Sequence, residues 1–385
     1  MSTIAWLPRS GFTEEHDMFR QTARRFMENE VAPHSAKWAA DGQVSRDVWL
    51  KAGETGLLCM AAPEEFGGAG VDDFRYNAIV NEEQVRVGSS GPGFAVHTDI
   101  NLPYLVSYGS DAQKKSYLPK MVSGECITAI AMSEPGTGSD LSGIQTRAVR
   151  DGDDYVVNGS KIFISNGQMA DLIITVVRTS EDPHAGLSLL LIDAGTPGFE
   201  RGRNLDKIGM KAQDTSELFF NDCRVPAENL LGEEGKGFYY LVGNLPQERL
   251  SIATTAVAAA AQTLEMTHEY VTTRTAFGRK VGSFQNSRFL MAELRTEVEL
   301  AFTFIDRLLA EAEAGTLTIE HAAMAKWWTT ELQVKVIDRC LQLHGGYGFM
   351  SEYPIAQAYV DSRAQTIYGG TTEIMKEIIG RSMSL

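Results

Sequence analysis

Apolar positions change their spacing twice along the chain. Up to about residue 125 they keep a helical period: Phe19, Ala23, Phe26 and Met27 recur at i, i+4, i+7 and i+8, forming one stripe. Asp72 precedes a second helical run, and Ser110-Asp111-Ala112-Gln113 has capping-box spacing, in which a hydroxyl takes an orphan N–H and the glutamine reaches back. From about 126 to 235 the runs are short and β-rich (Tyr155–Val157, Ile162–Ile164, Leu172–Val177, Leu187–Ile192, Glu217–Phe220). Asp151-Gly152 and Asn158-Gly159 both read as tight hairpin turns, because these residues tolerate positive φ. No helical period separates the runs, so βαβ units are excluded. From about 236 the helical period returns. Leu250–Val271 is alanine-rich, Phe284–Ala314 and Thr318–Leu343 are long and amphipathic, Gly345-Gly346 stops the latter, and a short helix follows Thr371. The pattern predicts an α+β chain: a helical domain over 1–125, an antiparallel β-domain (barrel or sandwich) over 126–235, and a helical domain over 236–385.

Composition narrows the function. The 385 residues include 35 Lys+Arg against 50 Asp+Glu, a net charge of −15, with 43% apolar and 22% charged residues. That is an ordinary globular balance with ample core, at about 150 residues per domain enough for two or three. The acidic balance argues against nucleic acid or an anionic membrane as main partner, since both reward clustered Lys/Arg. A small anionic ligand stays possible, because it needs only a local basic or N–H-lined site. The apolar runs are far short of the ~20 residues that cross a bilayer. Met1 to Phe12 has no basic-then-apolar leader, which points to a bacterial cytoplasm, or to the mitochondrial matrix for a processed eukaryotic chain. Cys59, Cys126, Cys223 and Cys340 are scattered, which reads as buried thiols without a disulfide framework or zinc site.

Five motifs carry candidate chemistry. In Ser133-Glu134-Pro135-Gly136-Thr137-Gly138-Ser139, a Gly-x-Gly-Ser turn exposes N–H groups and hydroxyls to a ligand. It is not a dinucleotide fingerprint, because Leu141 stands where the third glycine would be. Phe163 and Ser165 alternate with Ile162 and Ile164, placing a ring and a hydroxyl on one strand face, suited to a flat hydrogen-bonding ring system. Arg274-Thr275-Ala276-Phe277-Gly278-Arg279-Lys280, followed by Gln285, is a basic break between long helices, and guanidinium suits phosphate. Gln342-Leu343-His344-Gly345-Gly346 and Tyr368-Gly369-Gly370-Thr371-Thr372-Glu373 each combine close backbone approach with a helix end. Taken singly, each fits an ordinary loop or core equally well.

Together and in this order, the motifs resemble the acyl-CoA dehydrogenase family over essentially the whole chain, most closely its long-chain branch. Gly91-Pro92-Gly93-Phe94, Gly209-Met210-Lys211-Ala212-Gln213-Asp214, Gly237-Phe238-Tyr239-Tyr240 and Leu245-Pro246-Gln247-Glu248-Arg249-Leu250 fit that branch. The resemblance implies a C-terminal four-helix bundle and an FAD between it and the β-domain. It implies that Ser133 and Ser165 hydrogen-bond the flavin edge, that Phe163 packs on it, and that Ser139 lies where acyl-CoA and flavin meet. It implies that Arg274, Phe277 and Gln285 reach the FAD of a neighbouring subunit, and that Gln342, Gly346, Thr371 and Glu373 meet its pyrophosphate or adenosine. Shared cofactor sites imply a homo-oligomer, usually a tetramer, with an electron-transfer flavoprotein as acceptor.

Oxidation of an acyl thioester removes a Cα proton to a base while the Cβ hydride goes to flavin. A carboxylate of raised pKa in an apolar pocket suits that role. Many family members carry this glutamate between the Tyr and Gly of the last motif, where this chain has Gly369. Glu373 falls at an adenosine position instead. A sister branch, including the isovaleryl-type enzymes, carries its base on a C-terminal-domain helix, and Glu248 matches it. Asn244, Pro246 and Gln247 place Glu248 at a helix start, where carboxylates also occur for dipole reasons alone. The resemblance further implies that Arg249 holds the site from behind and that the Gly369 N–H meets the thioester oxygen. The alternatives are an isovaleryl-CoA-type enzyme, a flavin oxidase, or a non-catalytic flavin-binding member.

Overall fold

The computed structural model describes residues 4–183 and 185–384, so the reading from Met1 lies partly outside the described residues. The N-terminal helices are Glu14–Phe26 (α1), Ser35–Asp41 (α2), Asp47–Glu54 (α3), Phe74–Arg86 (α4), Leu102–Tyr108 (α5) and Asp111–Val122 (α6). Ala23, Phe26 and Met27 of the apolar stripe are buried against Trp49, Ile79 and Phe94. Ser110 caps α6 with the reciprocal glutamine bond that its spacing predicts. The α4 cap is Asp73, one residue beyond Asp72, with its carboxylate on the Arg75 N–H.

The middle strands are Thr128–Ala131 (β1), Arg147–Asp151 (β2), Asp154–Ser165 (β3), Leu172–Arg178 (β4), Leu187–Asp193 (β5), Phe199–Asn204 (β6), Thr215–Pro226 (β7) and Leu230–Leu231 (β8). They form one sheet in the order β6-β7-β3-β2-β4-β5-β8, with β1 beside β4. Seven of these strands wrap one core that includes Tyr155, Val157, Ile173, Leu190, Leu218 and Phe220. The sheet is not wholly antiparallel, because β1 and β2 both pair parallel to β4. Asp151-Gly152 makes the predicted hairpin, with Asp151 opposite Asp154.

Asn158-Gly159 does not turn. It lies inside β3, at a break in register against β7. A Cβ on Gly159 would sit 2.6 Å from Thr146 Oγ1, so glycine answers a close approach at a bulge instead of a reversal. The local signal is the same in both cases; only the long-range pairing tells them apart.

The C-terminal part holds Gly237–Thr273 (α7), Gln285–Glu313 (α8), Ile319–His344 (α9), Pro354–Ser362 (α10) and Thr372–Ser382 (α11), with a small hairpin, Thr275–Ala276 (β9) and Arg279–Lys280 (β10), between α7 and α8. The three long helices are joined by the short α10 and α11 packing on α9. Helix α7 begins thirteen residues before Leu250 and runs through Pro246. Glu248 is therefore in a helix interior and not at a helix start. Burial against the neighbouring helices offsets the lost proline hydrogen bond, which a local reading scores as a boundary. Buried Ala253, Ala256 and Ala260 on α7, with Ala322 and Ala325 on α9, let the two helices approach closely. No helix among the described residues is long and apolar enough to cross a membrane.

Candidate active site

Helix α7 packs on α9, α4 and α8 and meets the sheet at β5, and a cavity of about 780 Å³ is lined by α7 residues between Leu245 and Glu269 together with residues of the β-domain. Seven sequence-predicted residues line this cavity: Ser133, Ser139, Phe163, Ser165, Glu248, Arg249 and Gly369. They come from four separate stretches of chain, brought together by the packing of α7 against α9 and the sheet.

Glu248 is buried. Its Oε1 accepts from the Tyr104 hydroxyl at 2.9 Å. Burial pushes its carboxyl up to about 7, with the Tyr104 hydrogen bond and the Arg249 charge pulling the other way. Burial also keeps the Tyr104 phenol protonated, so it remains a donor. Tyr104 has no signal in the sequence, because 144 residues separate the two partners.

Gly369 faces the cavity in the left-handed region, at φ +66°. A Cβ there would lie 2.4 Å from Ile252 Cδ1, one helical turn after Glu248. The left-handed backbone favours glycine at this turn, and a side chain there would also have to displace the end of Ile252. The Gly369 carbonyl accepts from Arg249 Nε at 3.4 Å, and the Gly370 carbonyl from Lys326 Nζ at 2.6 Å. Among the described residues nothing accepts from the Gly369 N–H.

The β-domain wall is braced from beneath. Lys161 is fully buried, with Nζ 3.0 Å from the Met132 carbonyl and 2.9 Å from Glu134 Oε1. Glu134 also accepts from the Gln145 and Thr146 N–H groups, and the Ile162 N–H donates to the Ser133 carbonyl at 3.0 Å. Ser133 is thus held on both sides. Phe163 has φ +62° and is 66% exposed, at a second register break of β3. The regular alternation expected for Phe163 and Ser165 is interrupted by this bulge, yet both line the cavity. Ser139 is exposed at the mouth, and a Cβ on Gly138 would meet no atom of the chain, so that turn leaves its backbone open.

The remaining predicted residues lie elsewhere. Arg274, Gln342 and Gly346 line a shallower recess of about 500 Å³ where α7 ends beside the end of α9. The Arg274 guanidinium lies 5.4 Å from the Tyr347 ring centre. Phe277 stands at the tip of the small hairpin, 95% exposed, and Gln285 opens α8. Thr371 caps α11 through the Ile374 N–H, and Glu373 is exposed in its first turn. Phe277, Gln285, Thr371 and Glu373 line neither cavity. The four cysteines are buried and free, and the described residues contain no cluster of three or more potential metal-ligating side chains.

Known proteins share this arrangement. Three family descriptions match in sequence: acyl-CoA dehydrogenase N-terminal domain over residues 13–125, middle domain over 129–223 and C-terminal domain over 235–384. Together they define an oxidoreductase built as helical, β and helical parts. The chain belongs to the acyl-CoA dehydrogenase family, whose members are flavoproteins. It is 51% identical over 375 residues to the mitochondrial long-chain specific acyl-CoA dehydrogenase of Sus scrofa, covering 97% of this chain and 87% of that one. The crystal structure of acyl-CoA dehydrogenase from Geobacillus kaustophilus superposes with a TM-score of 0.96 at 51% identity, covering 98% of this chain and all of the other. A glutaryl-CoA dehydrogenase from Mycobacterium smegmatis in complex with FADH2 superposes with a TM-score of 0.90 at 26% identity, covering 97% and 95% of the two chains.

Proposed function

We propose that this protein is an FAD-dependent acyl-CoA dehydrogenase of long-chain type, with Glu248 as the base that takes the Cα proton. The observation that carries the reading is the juxtaposition in one cavity of a buried carboxylate near neutrality and an unpaired backbone N–H, at Glu248 and Gly369. The Cα–H of a thioester is only weakly acidic, so its removal needs both a base and donors on the carbonyl oxygen. Burial raises the basicity of Glu248 as it excludes water, and Tyr104 fixes one of its oxygens. The Gly369 N–H would donate to the thioester oxygen, with Ser139 at the entrance where the acyl-CoA passes.

The residues fit FAD. The Ser133 and Ser165 hydroxyls beside the exposed Phe163 ring offer edge hydrogen bonds and a stacking face on the same wall. FAD would supply the acceptor for the Cβ hydride, giving the trans-2-enoyl thioester. Outward placement of Arg274, Phe277, Gln285, Gln342, Gly346, Thr371 and Glu373, away from the main cavity, supports a cofactor site shared between subunits of a homotetramer. An electron-transfer flavoprotein would then receive the electrons. The division of the chain near residues 125 and 235 is proposed because helices give way to strands between Val122 and Thr128 and strands to helices between Leu231 and Gly237.

The test is anaerobic titration of the purified flavoprotein with acyl-CoAs of increasing length. Long straight chains should bleach the flavin most completely, and Glu248→Gln should stay yellow with FAD bound while bleaching at least a thousandfold more slowly. Full bleaching by Glu248→Gln would overturn the base assignment. Preferential bleaching by isovaleryl-CoA would move the substrate to a short branched chain, peroxide formed without an acceptor would indicate an oxidase, and a protein that stays colourless with added FAD would reject the enzyme reading.

A further inference from the structure

Two cations stand behind the Gly369–Gly370 turn, and among the described residues neither has a carboxylate in salt-bridge contact. Arg249 reaches the Gly369 carbonyl from α7, and Lys326 reaches the Gly370 carbonyl from the middle of α9. Both side chains are buried, Lys326 completely. A buried ammonium is costly unless something at the same place rewards its charge. The bond each makes is to a neutral carbonyl, so the reward within the protein is incomplete.

What the two cations share is the turn. They hold the Gly369 and Gly370 carbonyl oxygens, while the Gly369 N–H has no acceptor among the described residues and Gly369 lines the same cavity as Glu248. The reaction develops its negative charge beside that N–H, on the thioester oxygen. We propose that Lys326 is a positioning residue for proton abstraction: with Arg249 it fixes the Gly369–Gly370 turn so that the Gly369 N–H meets the enolate oxygen, and its positive charge favours that anion. The inference rests on Glu248 and the Gly369 N–H acting as set out above.

Two charged groups reach Lys326. Arg249 on α7 repels its proton and Glu373 on α11 retains it; with burial as the largest cause, its ammonium is pushed down to about 8. Arg249, also depressed by burial, stays charged, with Glu248 opposing the loss. The sign follows: the clamp is intact below pH 8 and loosens as Lys326 loses its proton above it. Glu248 acts in the opposite sense, becoming a base as pH rises through about 7.

The experiment uses the FAD-loaded enzyme and a 3-thia acyl-CoA, which yields its Cα proton but gives up no hydride. Its enolate beside oxidised flavin absorbs at long wavelength, a readout independent of turnover. Lys326→Met should bind FAD and reduce this absorbance at least tenfold at saturating analogue, and Lys326→Arg should restore most of it and remove its decline above pH 8. Wild-type absorbance in Lys326→Met at equal flavin content would overturn the proposal. If Lys326→Met does not fold, the wild-type profile decides: a fall in absorbance above pH 8 supports the clamp, and undiminished absorbance to pH 10 rejects it. Glu248→Gln run in parallel separates the two readings, because full enolisation there faults the base and not Lys326.

Discussion

Glu248 shows how a side chain takes its chemistry from the wall around it. In water its carboxyl would be ionised well below neutrality; here burial carries it up to about 7. Only the unprotonated form can accept a proton, so kcat/KM should rise with pH through about 7. The Tyr104 hydroxyl donates to the carboxylate and thereby favours ionisation. Tyr104→Phe should move the rising limb upward by about one to two pH units, since a hydrogen bond to a charged group is worth about 1.5–3 kcal/mol. A pH profile of kcat/KM with a long-chain acyl-CoA measures this; an unmoved limb would remove Tyr104 from the account. The sequence offers Glu248 as one acidic residue among 50. Its pairing with the glycine at 369 singles it out, whereas Tyr104 and Lys326 are silent in the sequence because their partners are distant in the chain.

Elements explain where local reading succeeds and where it fails. The Ser110 box, the Gly345 stop and the helix that follows Thr371 are settled within a few residues, and all three stand as expected, with Thr371 itself the cap. Pro246 and Asn158-Gly159 carry equally strong local signals, and both are overridden: one by burial inside α7, the other by the pairing of β3 with β7. The same strand shows what an element does for the site. Lys161 of β3 ties the Met132 and Glu134 segment beneath Ser133. Lys161→Met would leave the Glu134 carboxylate buried with only backbone donors. Breaking such a pair costs about 3–5 kcal/mol. The denaturation midpoint of the apoprotein should fall accordingly, and FAD affinity should weaken, because the Ser133 side of the wall is no longer braced. An FAD Kd unchanged from wild type would show that the brace serves the fold alone.

For the whole molecule, the acidic balance was informative about some partners and silent about others. A net charge of −15 discourages polyanionic surfaces, yet the proposed ligands, FAD and CoA, both carry phosphates. Local groups would resolve the conflict: glycine turns, hydroxyls, and Arg274 beside the recess formed with Gln342 and Gly346. If the protein is the proposed tetramer and that recess meets a neighbour's cofactor, Arg274→Ala should lower FAD occupancy, and FAD removal should shift the assembly toward smaller species by light scattering. Undiminished assembly mass and FAD content in Arg274→Ala would place the recess outside the cofactor site.

By itself the sequence determined the order of helical, β and helical parts, the caps and stops, and the set of residue types available for chemistry, because periodicity and capping act over one or two turns. The tertiary structure alone decided which of them meet. Packing around α7 buries Glu248, sets Ile252 against Gly369, and brings Tyr104 and Lys326 from remote helices onto Glu248 and Gly370, which line the cavity. Desolvation and long-range hydrogen bonding belong to that packing, so the basicity of Glu248 could be read nowhere else.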